Sequence, residues 1–161
     1  MLTSPATGGR AAEVLCAAEC RELAVRYLSR REYSVKELKR KLQQRGVSRD
    51  TADEVVERLA SDDLVSDQRF TQMYVRTRVR HLFGPLKIRG ELRSRGVEDD
   101  IIGENMPPEE DWIDVASRWI DKKVSGELDY AKRAKTYHSL VNRGFRHEQA
   151  NVALDRFSSQ D

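Results

Sequence analysis

The chain has 161 residues, 35% of them charged and 39% hydrophobic, with a formal net charge of +2. So small an apolar share favours an elongated shape or several small cores over one large globule. No run of about 18 apolar residues occurs, and Met1 to Gly9 lack the basic-then-apolar build of a secretory leader, so membrane spanning and export are disfavoured and a cytoplasmic protein is the default.

In chain order, residues 1–12 read as a flexible tail. From about Glu13 to Arg31 the stripe Cys16, Cys20, Leu23, Ala24, Tyr27, Leu28 has the spacing of a buried helix face, which makes both cysteines packing residues. No other cysteine or nearby histidine completes a zinc or disulfide spacing with them. Ser34 and Glu37 form a capping box that opens a second helix, with Val35, Leu38 and Leu42 on its apolar side. A short acidic helix follows, carrying Ala52, Val55, Val56 and Leu59. The next helix is predicted from Asp67 to Phe83 with Phe70, Met73, Tyr74 and Thr77 inward; Gly84-Pro85 then places proline at the first position of a helix that keeps Ile88 and Leu92. Its successor retains Ile102 and Met106 but has Asn105 in an apolar place, and Pro107-Pro108 forbids helix and marks a join. Beyond it, Asp111 to Val124 carries Trp112 and Trp119 seven apart on one face, read as core, as are Tyr130 and Tyr137. The last helix bears Ala150, Ala153, Leu154 and Phe157. No alternation of apolar and polar residues indicates a strand.

One unit recurs. Leu42-Gln43-Gln44-Arg45-Gly46-Val47, Leu92-Arg93-Ser94-Arg95-Gly96-Val97 and Leu140-Val141-Asn142-Arg143-Gly144-Phe145 align on their glycines, in steps of 50 and 48 residues. Each is a helix end: the arginine complements the helix dipole, the glycine supplies a left-handed C′ residue, and the apolar residue after it folds back. Charge repeats with the same period. Arg21 to Arg49 holds ten basic and three acidic residues, Asp50 to Asp67 one and seven, Gln68 to Gly96 eight and one, Val97 to Asp121 one and nine, and Lys122 to Arg146 seven and two. The expected fold is all-α: three tandem three-helix, helix-turn-helix-like repeats over 13–62, 63–106 and 107–161, stacked into an elongated or curved arrangement.

Catalysis finds little support. His81, His138 and His147 are not spaced for a common metal, and no phosphate loop or nucleophile signature occurs. Acid clusters such as Asp99-Asp100 and Glu109-Glu110-Asp111 stand at helix starts, where the dipole favours them. A non-enzyme without cofactor or metal is expected.

Three strings carry a resemblance: Leu28-Ser29-Arg30-Arg31-Glu32-Tyr33-Ser34-Val35-Lys36-Glu37-Leu38, then Asp67-Gln68-Arg69-Phe70, and above all Gly84-Pro85-Leu86-Lys87-Ile88-Arg89-Gly90-Glu91-Leu92-Arg93-Ser94-Arg95-Gly96-Val97. At this spacing they resemble the RecX family, bacterial regulators of the RecA recombinase, over about Leu23 to Phe157. Two positions depart from the family's pattern: Asp63 or Leu64 stands where a glycine is frequent, and Thr71 where alanine is common. The resemblance implies a protein that binds RecA, chiefly as a filament on DNA, and restrains its ATP hydrolysis, strand exchange and coprotease role in DNA repair and the SOS response. It also implies weaker, sequence-independent binding to single- and double-stranded DNA.

The residues themselves offer a surface for such a partner. Arg69, Arg76 and Arg80 share one helical face, where like charges weaken an isolated helix and so serve binding better than stability. Lys87, Arg89 and Arg93 follow on the next helix, and Arg30, Arg31, Lys36, Lys39 and Arg40 occupy the matching place in the first repeat. Phosphates or acidic protein surfaces are their complements. Arg45, Arg95 and Arg143 are read mainly as dipole partners. A monomer is expected. The competing expectation is a sequence-independent DNA-binding protein acting through phosphate contacts alone, and the bland one is that basic helices simply neutralise acidic neighbours.

Overall fold

The computed structural model describes residues 15–160, whose regular structure is entirely helical. The described helices are α1 (Ala17–Leu28), α2 (Val35–Gln44), α3 (Arg49–Ser61), α4 (Asp67–Arg80), α5 (Pro85–Ser94), α6 (Asp99–Asn105), α7 (Asp111–Lys123), α8 (Tyr130–Asn142) and α9 (His147–Ser158). The expected tail and the expected helix start at Glu13 lie outside the described residues. The chain divides into two compact units, Met1–Ser66 and Asp67–Asp161.

In the first unit, α1, α2 and α3 enclose a core that includes Leu23, Tyr27, Leu38, Leu42, Val56 and Leu59. Local chemistry sets the helix ends. Ser34 Oγ accepts from the Glu37 N–H at 3.1 Å while the Ser34 N–H donates to Glu37 Oε2 at 3.3 Å, the reciprocal cap expected. Gly46, at φ 89°, lets the Val47 N–H return to the Leu42 carbonyl and buries Val47. Ser48 then caps α3 by accepting from the Thr51 N–H. The cysteine pair splits. Cys20 is buried, which pushes its thiol up, but Cys16 is exposed, because it is the N-cap of α1 rather than part of its inner face.

In the second unit, α4 to α9 share one core, in which Phe70, Ile88 and Leu92 join Trp112, Ile120, Phe145 and Leu154. The inner face of α4 is centred on Phe70, Thr71 and Val75, with Met73, Tyr74 and Thr77 half-buried. This rotation from the expected stripe follows from α4 packing chiefly on α6. Asn105 is tolerated in its apolar place because it is half-buried and bonded, donating to the Ile101 carbonyl and accepting from Gln68. Tyr130 is 91% exposed, contrary to expectation, since it opens α8 directly after the Asp129 cap and no neighbouring helix reaches it. Trp112 is buried as expected, at 1% exposure, whereas Trp119 is only half-buried.

Three helix ends of this unit meet at one point. Proline at the start of α5 has no N–H, and the neighbouring donors are filled by the end of α8: Gly84 N–H donates to the Arg143 carbonyl at 2.8 Å and Leu86 N–H to the Gly144 carbonyl at 2.9 Å. The approach leaves no room for side chains. A Cβ on Gly84 would strike the backbone of Gly144 and Phe145, and one on Gly144 would strike Lys87. Arg143 reaches on to the end of α4, donating to the Leu82 and His81 carbonyls at 2.9 and 2.6 Å. It is therefore a dipole partner of α4 rather than of its own helix.

Two consequences can be measured by urea unfolding. Gly46 and Gly144 both have positive φ, but only Gly144 is hemmed in, so Gly46→Ala should cost about 1 kcal/mol and Gly144→Ala about 3 kcal/mol or more; equal losses would mean that the α5–α8 approach relaxes freely. Thr71 is fully buried with its hydroxyl unpartnered, so Thr71→Val should stabilise the protein by about 1 kcal/mol.

Candidate interaction surface

The cationic side chains fall into those held by the protein's own groups and those left to solvent. In the first unit, Lys39 bridges to Asp53 at 3.3 Å and Glu57 at 3.8 Å, and Arg31 lies 3.6 Å over the Tyr33 ring with Glu37 at 3.5 Å. Arg30, Lys36 and Arg40 are exposed and make no ion pair among the described residues. Lys36, Lys39 and Arg40 line one groove with Gln43, Arg49 and Asp53, along α2 and the start of α3. The outer face of α3 itself is acidic, with Asp50, Glu54 and Glu57 exposed. The acidic face of α3 is electrostatically unsuited to a DNA groove, whereas the cations of this unit gather along α2, the turn before it and the start of α3.

In the second unit Arg76 and Arg80 are exposed one turn apart on α4 without ion pairs among the described residues, while Arg69 is half-buried and has an interaction partner of its own. Lys87 is drawn toward Phe83, its Nζ 5.0 Å from the ring centroid, and Arg93 pairs with Asp99 at 2.6 Å. Arg89 is half-buried, with its Nε sealed from solvent and unpartnered.

Arg78, absent from the expected set, is the cation most firmly held. It forms a two-point ion pair with Glu91, its Nε bonding Oε2 at 2.8 Å, and the Tyr74 hydroxyl donates to the same oxygen at 2.7 Å. Its guanidinium also lies 3.9 Å from the Phe83 centroid, near that of Arg143 at 4.2 Å. Arg95 completes the knot, 4.9 Å over Tyr74. Position could have flagged Arg78: it stands four after Tyr74 and eight after Phe70, on the apolar stripe. Burial and the hydrogen bond to Glu91 push the Tyr74 phenol up to about 12. Glu91 is held below its ordinary value, since the bonds from Arg78 and Tyr74 outweigh the opposing effect of burial. Burial and the like charge of Arg78 lower Arg143.

A further basic feature lies in α7 and α8, where Trp119, Lys123, Lys132 and Lys135 line a cleft of about 320 Å³. Among the described residues no group of histidines, cysteines and acids could hold a metal ion, and no helix is long and apolar enough to cross a membrane.

Comparison with known proteins gives a consistent result. Residues 20–59 match a family model described as RecX, first three-helix domain, and residues 66–105 match RecX, second three-helix domain. A regulatory protein RecX of Xanthomonas campestris pv. campestris (strain B100) is 39% identical over 141 residues, 86% of each chain. Its counterpart in Chromohalobacter salexigens is 38% identical over 136 residues, 83% of this chain and 90% of that one. The crystal structure of RecX from Lactobacillus salivarius superposes with a TM-score of 0.77 over 90% of this chain and 97% of that one, at 22% identity.

The Glu91 knot sets a pH dependence. A carboxyl held below its unfolded value of 4.5 stabilises the fold fully above that value and ceases to do so as pH falls through its folded value. At pH 7, Glu91→Gln should cost about 1–3 kcal/mol, leaving Arg78 without its counter-charge. Thermal melts from pH 7 toward pH 3 should bring wild type and variant together; a constant gap would refute the linkage.

Proposed function

The chain belongs to the RecX family, and from that premise we propose that it binds the RecA recombinase in its DNA filament and restrains ATP hydrolysis, strand exchange and coprotease action without catalysing a reaction itself. The observation that carries this reading is the division of labour on α4: Arg78 is consumed by Glu91, while Arg76 and Arg80 on the outer side of the same helix have no internal counter-charge among the described residues. Cations on a helix with no neighbour to neutralise them suit an acidic or phosphate-bearing partner. Arg30, Lys36 and Arg40 extend the same chemistry to the first unit. We read the chain as three three-helix repeats whose weak basic contacts add by avidity along a periodic partner. The mechanism is thermodynamic and steric: a filament state is held, or its growth blocked, with no bond made or broken. Contact with single- or double-stranded DNA is the weaker, sequence-independent component, and the protein works in the cytoplasm as a monomer.

The test is single-stranded-DNA-dependent ATP hydrolysis by the cognate RecA, with this protein titrated from far below stoichiometric amounts. Inhibition is expected before free DNA is coated, and Arg76→Glu/Arg80→Glu should abolish it with helicity and melting unchanged. Inhibition only at DNA saturation would mean plain phosphate binding; undiminished inhibition by the double variant would remove α4 from the interface.

A further inference from the structure

The cleft in α7 and α8 has a composition unlike the groove along α2. It carries three ammonium groups, from Lys123, Lys132 and Lys135, and no carboxylate, whereas the α2 groove contains Asp53. The acids near it stand outside the cleft lining: Asp129 accepts from the Lys132 N–H at 2.8 Å as the cap of α8, Asp155 on α9 pairs with Arg133 at 2.7 Å, and the exposed Asp121 and Glu127 do not line the cleft. Lys132 Nζ reaches only the Glu127 carbonyl, at 3.4 Å, and Lys123 and Lys135 form no ion pair among the described residues. The remaining polar wall is hydroxyl, from Ser125, Thr136 and Ser139. Like charges gathered in a concavity focus the field, so the cleft attracts an anion more strongly than the same lysines on a flat surface.

The shape and the aromatic wall narrow the choice of anion. Lysines offer compact point charges that suit phosphate, without the planar fork by which arginine grips a carboxylate. Trp119 is half-buried, in contrast to Trp112 at 1% exposure; its Nε1 is sealed and the Arg143 guanidinium lies 5.7 Å from its ring, so the part of the ring that lines the cleft is what a flat apolar group would meet. About 320 Å³ admits a group the size of one nucleotide, but not the face of a folded protein. A base reaches such a wall only when it is unstacked from its neighbours, as in a single strand.

We propose that this cleft holds one nucleotide of single-stranded DNA, with the flanking phosphates on Lys123, Lys132 and Lys135 and the base against Trp119. It deepens the reading above, on which it rests for DNA as the partner. The third helix set, which lies outside the two stretches matched by the family models, thereby acquires a role of its own: it grips the strand directly.

The experiment uses the full chain and a short fluorescein-labelled oligothymidylate, with anisotropy titrations over a range of salt. Lys123→Gln/Lys132→Gln/Lys135→Gln replaces exposed side chains and should melt as the wild type does. It should bind roughly tenfold more weakly or worse, with a log–log salt slope smaller by about 1.4, as expected for the two flanking phosphates losing their lysines. Oligothymidylate should quench the wild-type tryptophan fluorescence, and Trp119→Phe, which leaves only the buried Trp112, should remove that quenching. Unchanged affinity and slope in the triple variant, quenching that survives Trp119→Phe, or displacement of the oligonucleotide by an equal amount of oligoglutamate would each overturn the assignment, the last in favour of an acidic peptide. Failure here with RecA inhibition intact overturns the cleft alone, whereas a wild-type protein that never inhibits RecA overturns the reading above whatever the cleft binds.

Discussion

Two backbone hydrogen bonds, from Gly84 to Arg143 and from Leu86 to Gly144, splice the end of α8 onto the beginning of α5. Helix ends are where backbone groups lack partners, and here the orphan carbonyls of one helix meet the orphan donors of another, with their dipoles in the favourable sense. Proline can begin α5 only because its missing N–H is not needed there. The contact requires glycine on both sides, and it places Arg143 where it can close α4 as well. The Phe83 ring, Arg78 and through it Glu91 and Tyr74 are arranged around that arginine. Helices that the sequence repeats as separate triples are in this way drawn into a single core.

The alternation of basic and acidic blocks has two uses at once. Part of it is internal neutralisation: Lys39 with Asp53, Arg93 with Asp99, Arg133 with Asp155 and Arg156 with Asp114 each tie a basic side chain to an acidic one on another helix. Pairs this exposed contribute little to stability individually. Their effect is subtraction: once they are formed, the cations left over include Arg76 and Arg80 on α4, Arg30, Lys36 and Arg40 in the first unit, and the lysines of α7 and α8. A protein with a net charge of only +2 can thus present strongly basic patches.

Features that depend on local backbone geometry were legible in the sequence. The glycines at positions 46, 96 and 144 all have positive φ, the Ser34–Glu37 box is formed, and Pro85 opens α5. Each is a demand made by a few neighbouring residues and met by one residue type. What depended on distant partners was not legible. Arg143 looked like a cap for its own helix because nothing near it in sequence reveals the carbonyls of His81 and Leu82. Cys16 and Tyr130 kept the right period yet sit at helix starts, where both are exposed. Trp119 shares a face with Trp112, but α7 packs chiefly on α9, so that one ring is sealed while the other lines a cleft beside α8. Of the candidate surface, the residue types and the helices were readable; which arginine on α4 turns inward was not, because that is decided by Glu91 on another helix.

The α5–α8 splice also bears on the order in which the protein is made. Contacts within α1 to α3 join residues near one another in sequence, so the first unit can fold as soon as Ser66 clears the ribosome. The second unit cannot, for the first turn of α5 has no partners until Gly144 has been synthesised. During that interval the apolar sides of α4 and α5, with Phe70, Ile88 and Leu92, remain uncovered by the later helices that share their core. The nascent chain is thus a folded first unit leading an unfinished and sticky second one, and that interval is when it most needs protection from aggregation.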